Sequence, residues 1–470
     1  MSQRLNISLS GGNAKADARE RAFRALVACY DGGRKGLDVL YAMGHEEALS
    51  SADAGLAAEI VTGVLRHRLT LEHISAYYFR GRWGGVRPSI RTVLSMGIYQ
   101  LCWLDRIPSH AAVDQSVRLA KRYGVGAASM ANAVLRKVAE CRGDVIDRPE
   151  DVNPRRWLEL EPGRGRLLKE DVFPDPAKRP LEYIVAATSH PAFLVERWHR
   201  RFKPKLCHQI CEAGQGRAAL VLRANRLRVS EDELFEKLSE AGHACERSEG
   251  SPGIIVHGSP SVVALPGFEE GLFQPQDGTA QGVLLMSPPA EGEFVVDLCA
   301  GLGTKATQAA ELMGNRGDVL ACDIDGEKLG RIGDNAARLG ITIIRTCTLD
   351  GLDAELKSIG RAVDMVLVDA PCTNTGVLGR RPEARYRATH AMLAEMVTIQ
   401  RDILGRAVEI VGENGRIIYS TCSIEQEENE EQTAWFCQAN EGWTVERQEL
   451  VLPRASRGGG GFAAVLRKQS

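Results

Sequence analysis

From Ala16 to Glu140, apolar residues recur every three or four positions, in ERAFRALVACY, AGLAAEIVTGVLRHRLTLEHISAYY, IRTVLSMGIYQLCWL and AAVDQSVRLAKRY. That spacing predicts successive amphipathic helices and an all-α bundle. In the last segment Ala112, Val113, Val117 and Ala120 share one side. Ser109 is its expected N-cap, with Pro108 ending the preceding helix. Between Arg142 and Pro180 the period is lost: Pro149, Pro154, Pro162, Pro174, Pro176 and Pro180 interrupt a stretch with many charges and few large apolar residues. The expectation there is a long linker, with one short helix around Arg155 to Leu160. Helical spacing returns from Leu181 to Lys205, restarting at Pro191. ALVLRANRLR then reads as a strand, EDELFEKLSEAG as a helix, and GIIVHG and VVALPG as short strands of a small α/β module.

From Gln274 onward the pattern alternates. FVVDL (Phe294–Leu298), DVLACD (Asp318–Asp323), TIIRT (Thr342–Thr346), DMVLVD (Asp364–Asp369) and RIIYST (Arg416–Thr421) are apolar strands separated by helical stretches such as EKLGRIGDNAARLG and MVTIQRDILGRAVEIV. Alternation of this kind predicts a Rossmann-like, doubly wound, mostly parallel sheet, in which ligands bind outside the carboxyl ends of the strands. The chain is therefore read as multi-domain: a disordered leader over 1–15, a helical domain over 16–142, a proline-rich linker over 143–180, a small α/β subdomain over 181–273 and a doubly wound domain over 274–470.

Composition changes this picture little. A chain of 470 residues exceeds one ordinary core. Its 44% hydrophobic and 26% charged residues are those of a soluble globular protein. Fifty-nine basic against 61 acidic residues exclude a uniformly basic nucleic-acid coat, though not a local basic groove. No apolar run approaches the roughly 20 residues of a membrane span. The start of the chain, MSQRLNISLSGG, lacks the apolar core of a secretory signal, so a cytoplasmic protein is expected. The twelve cysteines follow no disulfide framework and include no CxxC. Cys207, His208 and Cys211 lack a second ligand pair, and no metal is expected. Most of the cysteines read as reduced, buried, small apolar residues.

The first strand of the alternating region runs into Asp297-Leu298-Cys299-Ala300-Gly301-Leu302-Gly303-Thr304-Lys305 and then a helix. Gly301 and Gly303 allow a tight turn and close approach to a ligand. Asp323, ending the next strand, suits ribose hydroxyls. A nicotinamide-binding domain shares this outline, although a full GxGxxG is missing, and a turn without ligand fits as well. Asp350, after the third strand, is placed to meet an adenine amino group or to be an ordinary loop aspartate.

The fourth strand ends in Asp369-Ala370-Pro371-Cys372-Thr373-Asn374-Thr375-Gly376 and the fifth in Ser420-Thr421-Cys422-Ser423-Ile424, followed by the acidic EQEENEEQ. Two cysteines at neighbouring strand ends beside an aspartate point to nucleophilic catalysis, whereas Cys322 inside a strand is the structural counterpart. Carbon 5 of cytosine is a poor nucleophile. A thiolate added at carbon 6 makes carbon 5 enamine-like, Asp369 can stabilise the protonated ring nitrogen, and a base must later remove the carbon-5 proton.

On these residues the catalytic part resembles the bacterial 16S ribosomal RNA cytosine-5 methyltransferases of the Sun/Fmu type, within the NOL/NOP/Sun group. The matching stretches are Gln276-Asp277-Gly278-Thr279-Ala280-Gln281, DLCAGLGTK, ACDID, DAPCTNTGVLGRRPEARYR and STCSIEQEENE. The resemblance implies Cys422 as nucleophile and Cys372 as the group assisting product release. It also implies S-adenosyl-L-methionine as cofactor, held by the loop from Cys299 to Lys305, Asp323, Asp350 and Asp369. TGVLRHRLTLE, GIYQLCWLDRIPSHAAVDQSV and ANAVLRK are similar to the NusB-type RNA-binding domain of these enzymes, and the middle module to their small RNA-contacting subdomain. RNA, specifically 16S rRNA, is then the implied partner, with a monomer expected. Three departures stand out: AGLGTK where the family usually has APGGK, DAPCTNTG for DAPCSGTG, and a glycine-rich turn, Gly458 to Gly461, before the last strand.

RNA offers phosphates and unstacked bases, so Arg380, Arg381, Arg385, Tyr386 and Arg387, with Arg223 and Asn225, are candidate groove residues, and a splayed-out base is implied. Three competing readings are an NAD-dependent oxidoreductase, which leaves the cysteine pair without a role, a non-catalytic RNA-binding assembly factor, and a DNA cytosine-5 methylase, which would not need Cys422.

Overall fold

The helical periodicity of the N-terminal stretch resolves into α1 (Ala18–Gly32), α2 (Gly36–Gly44), α3 (Ser51–Tyr78), α4 (Pro88–Trp103), α5 (Ser109–Ala120) and α6 (Val125–Cys141). The computed structural model describes residues 17–32, 36–44, 49–248, 252–258, 260–454 and 458–469; the leader expected over 1–15 lies outside them. Two compact units divide after Ser189. In the first, Ser50 caps α3 by accepting from the Asp53 amide, which satisfies a donor that the helix cannot. Ser109 makes no such cap. It is the first helical residue, and Pro108 holds the cap position without a side-chain bond. Gly63 on α3 lies against Tyr99 of α4 so closely that a Cβ would collide with the ring.

The expected linker is instead a three-stranded antiparallel sheet, order β1-β3-β2, built from β1 (Val145–Asp147), β2 (Trp157–Glu161) and β3 (Arg164–Leu167). Its strands are too short to show a period, but Trp157 and Leu158 are buried. Buried Arg166 donates to the carbonyls of Cys102 and Gly143 and pairs with Asp105. The short helix expected near Arg155 is a 3-10 turn, Pro154–Arg156, that leads into β2. The helical stretch after Pro180 is three helices. α7 (Pro180–Thr188) belongs to the first unit, while α8 (Ala192–Phe202) and α9 (Pro204–Gln215) open the second. Ser189 stops α7 in a left-handed conformation, φ 56°.

The second unit continues with a four-stranded antiparallel sheet, order β5-β6-β4-β7, of β4 (Leu220–Ala224), β5 (Cys245–Arg247), β6 (Ile254–Val256) and β7 (Phe273–Pro275). Helix α10 (Glu231–Glu240), started by a Ser230–Glu233 capping box, covers it through Leu234 and Leu238. VVALPG forms a 3-10 turn, Val262–Ala264, rather than a strand.

The large sheet comprises β8 (Phe294–Asp297), β9 (Asp318–Asp323), β10 (Ile344–Thr348), β11 (Val363–Asp369), β12 (Val411–Thr421), β13 (Trp443–Val451) and β14 (Gly461–Lys468), in the order β10-β9-β8-β11-β12-β14-β13. The first five are parallel; β14 runs antiparallel to both β12 and β13. Alternate residues feed two cores. Val295, Met365, Leu367 and Ile418 pack with α11 (Gly278–Leu285), α12 (Thr304–Leu312) and α13 (Gly326–Leu339). Phe294, Val296, Val366 and Ile417 pack with α14 (Leu352–Ile359), α16 (His390–Ile410) and α17 (Glu430–Ala439), leaving α15 (Ala384–Arg387) in the long loop that follows β11. This is the doubly wound Rossmann-like fold. Its order reverses between β8 and β11, where such sheets open a ligand crevice. Among the described residues, no helix is long and apolar enough to cross a membrane, and no group of three or more His, Cys, Asp or Glu could hold a metal ion.

Candidate active site

The loop after β8 is shaped by its two glycines. Gly301 and Gly303 have φ of 57° and 76°, a region that a side chain with a Cβ enters at a cost. A Cβ on Gly303 would also strike Ile332, whereas Gly301 opens onto free space. The Gly301 amide donates to Asp323 Oδ2 (2.9 Å), which joins the loop to the end of β9. Leu302, at the tip, is 52% exposed, Cys299 is half-buried, Ala300 is buried, and Thr304 begins α12. Asp350 follows β10 in a 3-10 turn and is exposed at the same carboxyl edge.

Lys305, from the first turn of α12, reaches Asp369 Oδ2 at 2.5 Å, and Ser420 Oγ donates to Asp369 Oδ1 at 2.8 Å. Burial works against the Lys305 charge, but Asp369 outweighs it and holds the ammonium above its usual pKa. Asp297, at the end of β8, is buried, with Oδ1 accepting the Cys299 amide and Oδ2 without a partner. Burial, then the charge of Asp369, pushes its carboxyl up to about 7.

Register places the two cysteines together. Asp369 of β11 pairs with Ser420 of β12, so the loops that follow leave the sheet side by side. Cys372 Sγ lies 3.3 Å from Cys422 Sγ. The hydrogen bond with Cys372 pulls the Cys422 thiol down, against burial and the charge of Asp369; Arg381 and Lys305 act with it. The same bond, reinforced by burial, pushes Cys372 well above the usual thiol range. Cys422 is the more readily ionised of the pair and is half-buried, whereas Cys372 is buried. A cavity of about 340 Å³ opens beside it, lined by Lys305, Asp369, Cys422, Met286, Val377 and Phe462.

The supporting residues carried weaker signals in the sequence. Buried Glu428 accepts the Thr373 amide (2.8 Å), the Thr373 hydroxyl (2.5 Å) and Gln400 Nε2 (3.2 Å). Ser423 Oγ bridges Thr373 Oγ1 (3.2 Å) and Thr375 Oγ1 (3.1 Å), so hydroxyls link the two cysteine loops. The acidic run after Cys422 is held by α8. Arg197 pairs with Glu425 and Glu427, Trp198 Nε1 donates to Glu425, and Arg201 holds Glu430 and the Ile424 carbonyl. Asp277 of the QDGTAQ motif caps α11, accepts from the Gly459 amide and pairs with Arg380 (2.7 Å).

Three of the expected groove residues are structural. Arg223 is buried, forks onto Glu311 (3.0 and 2.7 Å) and also bonds Gln276. Asn225 is buried on the carbonyls of Gly271 and Leu339. Arg385 is fully buried and donates to the Gly214 carbonyl. A charge followed by an arginine-rich loop does not reveal which guanidinium turns inward. Arg380 and Arg381 are exposed, and Tyr386 and Arg387 half-buried.

Comparison with known proteins agrees with this architecture. The family model described as 16S rRNA methyltransferase RsmB/F matches residues 284–465, that of the NusB family matches 16–140, and that of a RsmF/B-like ferredoxin-like domain matches 190–263. The chain is 30% identical over 413 residues to the "Probable ribosomal RNA small subunit methyltransferase B" of Synechocystis sp., covering 87% of this chain and 86% of that protein. It is 30% identical over 435 residues to the "Ribosomal RNA small subunit methyltransferase B" of Klebsiella pneumoniae subsp. pneumoniae, covering 90% and 92%. The fold is similar to the crystal structure of PH0851, with a TM-score of 0.70 at 24% identity over 95% of this chain and 98% of that one.

Proposed function

The chain belongs to the RsmB/F family of 16S rRNA methyltransferases, and on that premise we propose that it transfers a methyl group from S-adenosyl-L-methionine to carbon 5 of a cytosine in 16S rRNA. The observation that carries the cytosine-5 chemistry is the 3.3 Å pairing of Cys372 and Cys422 beside Asp369. A nicotinamide oxidoreductase has no use for that pair, and family membership removes that reading. Within the proposal the protein is a cytoplasmic monomer whose partner is RNA.

The residues fit the cofactor. Gly301 leaves open space at the loop, Asp323 and Asp350 stand at the ends of β9 and β10 for ribose and adenine, and Lys305 with Asp369 closes the site towards Cys422. The loop from Cys299 to Lys305 would hold the rest. When bound, S-adenosyl-L-methionine supplies an electrophilic methyl group.

Cys422, as thiolate, adds to carbon 6 of a cytosine turned out of its strand, and the ring's electrons become available at carbon 5. Asp369, fixed by Lys305 and Ser420, hydrogen-bonds the ring nitrogen that gains a proton as negative charge develops. Once carbon 5 is methylated, its proton must leave before the carbon–sulfur bond can break. Cys372 is suited to take it. In the adduct Cys422 is a thioether, so its hydrogen bond and charge no longer raise Cys372, while burial and Glu428 still do. Cys372 gives up its own proton to water, and the resulting thiolate accepts the carbon-5 proton; the ring double bond re-forms as the carbon–sulfur bond breaks, and Cys422 leaves as a thiolate.

Incubation of the protein with S-adenosyl-L-methionine and unmodified small-subunit rRNA, followed by bisulfite sequencing, tests the proposal. A cytosine protected only when the cofactor is present supports it. No protected cytosine, with methyl label on another base or on none, sinks it.

A further inference from the structure

Asn374 stands between the two cysteine loops, only 9% exposed, in a left-handed conformation (φ 61°) that asparagine enters more readily than most residues. Its carboxamide has three partners. Nδ2 donates to the Cys372 carbonyl at 2.6 Å, and Oδ1 accepts from Arg381 Nη1 at 2.7 Å and from Cys422 Sγ at 3.2 Å. The first two fix which way the amide faces, because a carbonyl oxygen only accepts and a guanidinium only donates. Turned over, the amide would oppose donor to donor at Arg381 and acceptor to acceptor at Cys372. The atom presented to Cys422 is therefore an oxygen. A thiol makes a hydrogen bond to it; a thiolate meets its lone pairs.

We infer that Asn374 is a positioning residue that holds Cys422 as a thiol in the free protein, with its S–H aimed away from Cys372. The inference rests on the reading of Cys422 as the nucleophile. It gives the site a single hydrogen-bond direction: Cys372 S–H to the Cys422 sulfur, and Cys422 S–H to Asn374 Oδ1, which Arg381 also holds. Two neighbours thus act on Cys422 in opposite senses. Cys372 favours the thiolate and Asn374 the thiol, so the more reactive form is restrained until its proton is drawn off.

Two variants of the full chain separate this role from a structural one. Asn374→Gly accepts the left-handed backbone but removes the acceptor, while Asn374→Asp keeps an acceptor in place and makes it anionic. Alkylation of Cys422 by iodoacetamide, followed by peptide mass spectrometry over a pH series, reads the thiolate fraction without RNA or cofactor. The expected result is a midpoint moved to lower pH in the glycine variant and to higher pH in the aspartate variant, at melting temperatures near the parent's. Coincident midpoints, or a shift of both variants in one direction, overturn the inference. If the aspartate variant does not fold, an unmoved or raised midpoint in the glycine variant overturns it alone. Because the titration involves no methyl transfer, its failure is distinct from failure of the proposed reaction, which Cys422→Ala tests by activity.

Discussion

Cys372 Sγ and Cys422 Sγ stand 3.3 Å apart although 50 residues separate them in the chain. The parallel ladder of β11 and β12 brings them together, and the pairing of Asp369 with Ser420 sets the register. The consequence is electrostatic. Cys372 donates to Cys422 and lowers its pKa, so at a given pH more of Cys422 is thiolate than in an isolated thiol. Cys372→Ala should therefore move the alkylation midpoint of Cys422 to higher pH and slow its alkylation at neutral pH. An unmoved midpoint would show that the contact has no part in activating Cys422.

Lys305 and Asp369 form a half-buried ion pair at the edge of the proposed cofactor site. Removing one partner leaves the other charge uncompensated. Lys305→Ala should weaken binding of S-adenosylhomocysteine by about 10- to 100-fold, or roughly 1.4–2.8 kcal/mol, measured by titration calorimetry. Parent-like affinity would place the cofactor away from this pair.

Asp297 gives a stability prediction whose sign follows from its environment. Burial and Asp369 push its carboxyl up to about 7, above its value in the unfolded chain. The native state therefore binds that proton more tightly. The associated stability is fully present below the unfolded value, about 4, and is lost as pH rises through about 7. Asp297→Asn cannot ionise and keeps an oxygen for the Cys299 amide. Melting curves between about pH 5 and 8 should show the parent losing stability relative to this variant as pH rises. Parallel trends would contradict the assignment.

Arg197 holds two carboxylates of the segment following Cys422, and Glu425 is itself buried. Arg197→Ala should cost about 3 kcal/mol, in the range for breaking a buried pair. Faster hydrogen exchange over 423–430 should accompany the loss. A drop in melting temperature without local loosening would mean that α8 does not order this segment.

The strand-and-helix alternation made the doubly wound fold legible, because β8, β9, β11 and the end of β12 are compact apolar runs, whereas β10 and the polar β13 are not. β1 to β3 were not legible. Their burial rests on Trp157, Leu158 and a single buried arginine, Arg166, which no periodic pattern marks. VVALPG resembled a strand by composition, yet the sheet is completed by β5 and β7, which are only three residues each. Strand ends revealed the cysteines and Asp369, since position along the chain fixes position on the sheet. The contacts of Asn374 and Glu428 were hidden because they depend on how two loops pack. Arg223 and Arg385 show the same blindness in reverse: arginines named for an RNA groove are buried on Glu311 and on the Gly214 carbonyl.

The most direct test is to mix Cys372→Ala with S-adenosyl-L-methionine and small-subunit rRNA and to look, after denaturation, for a covalent protein–RNA complex. The expected result is a stable adduct that maps to Cys422 and carries a methylated cytosine. The double variant with Cys422→Ala should give none, and Cys422→Ala alone should lose at least about 10³-fold in methylation rate. No adduct from Cys372→Ala with turnover at the parent's rate, or robust methylation by Cys422→Ala, would contradict it.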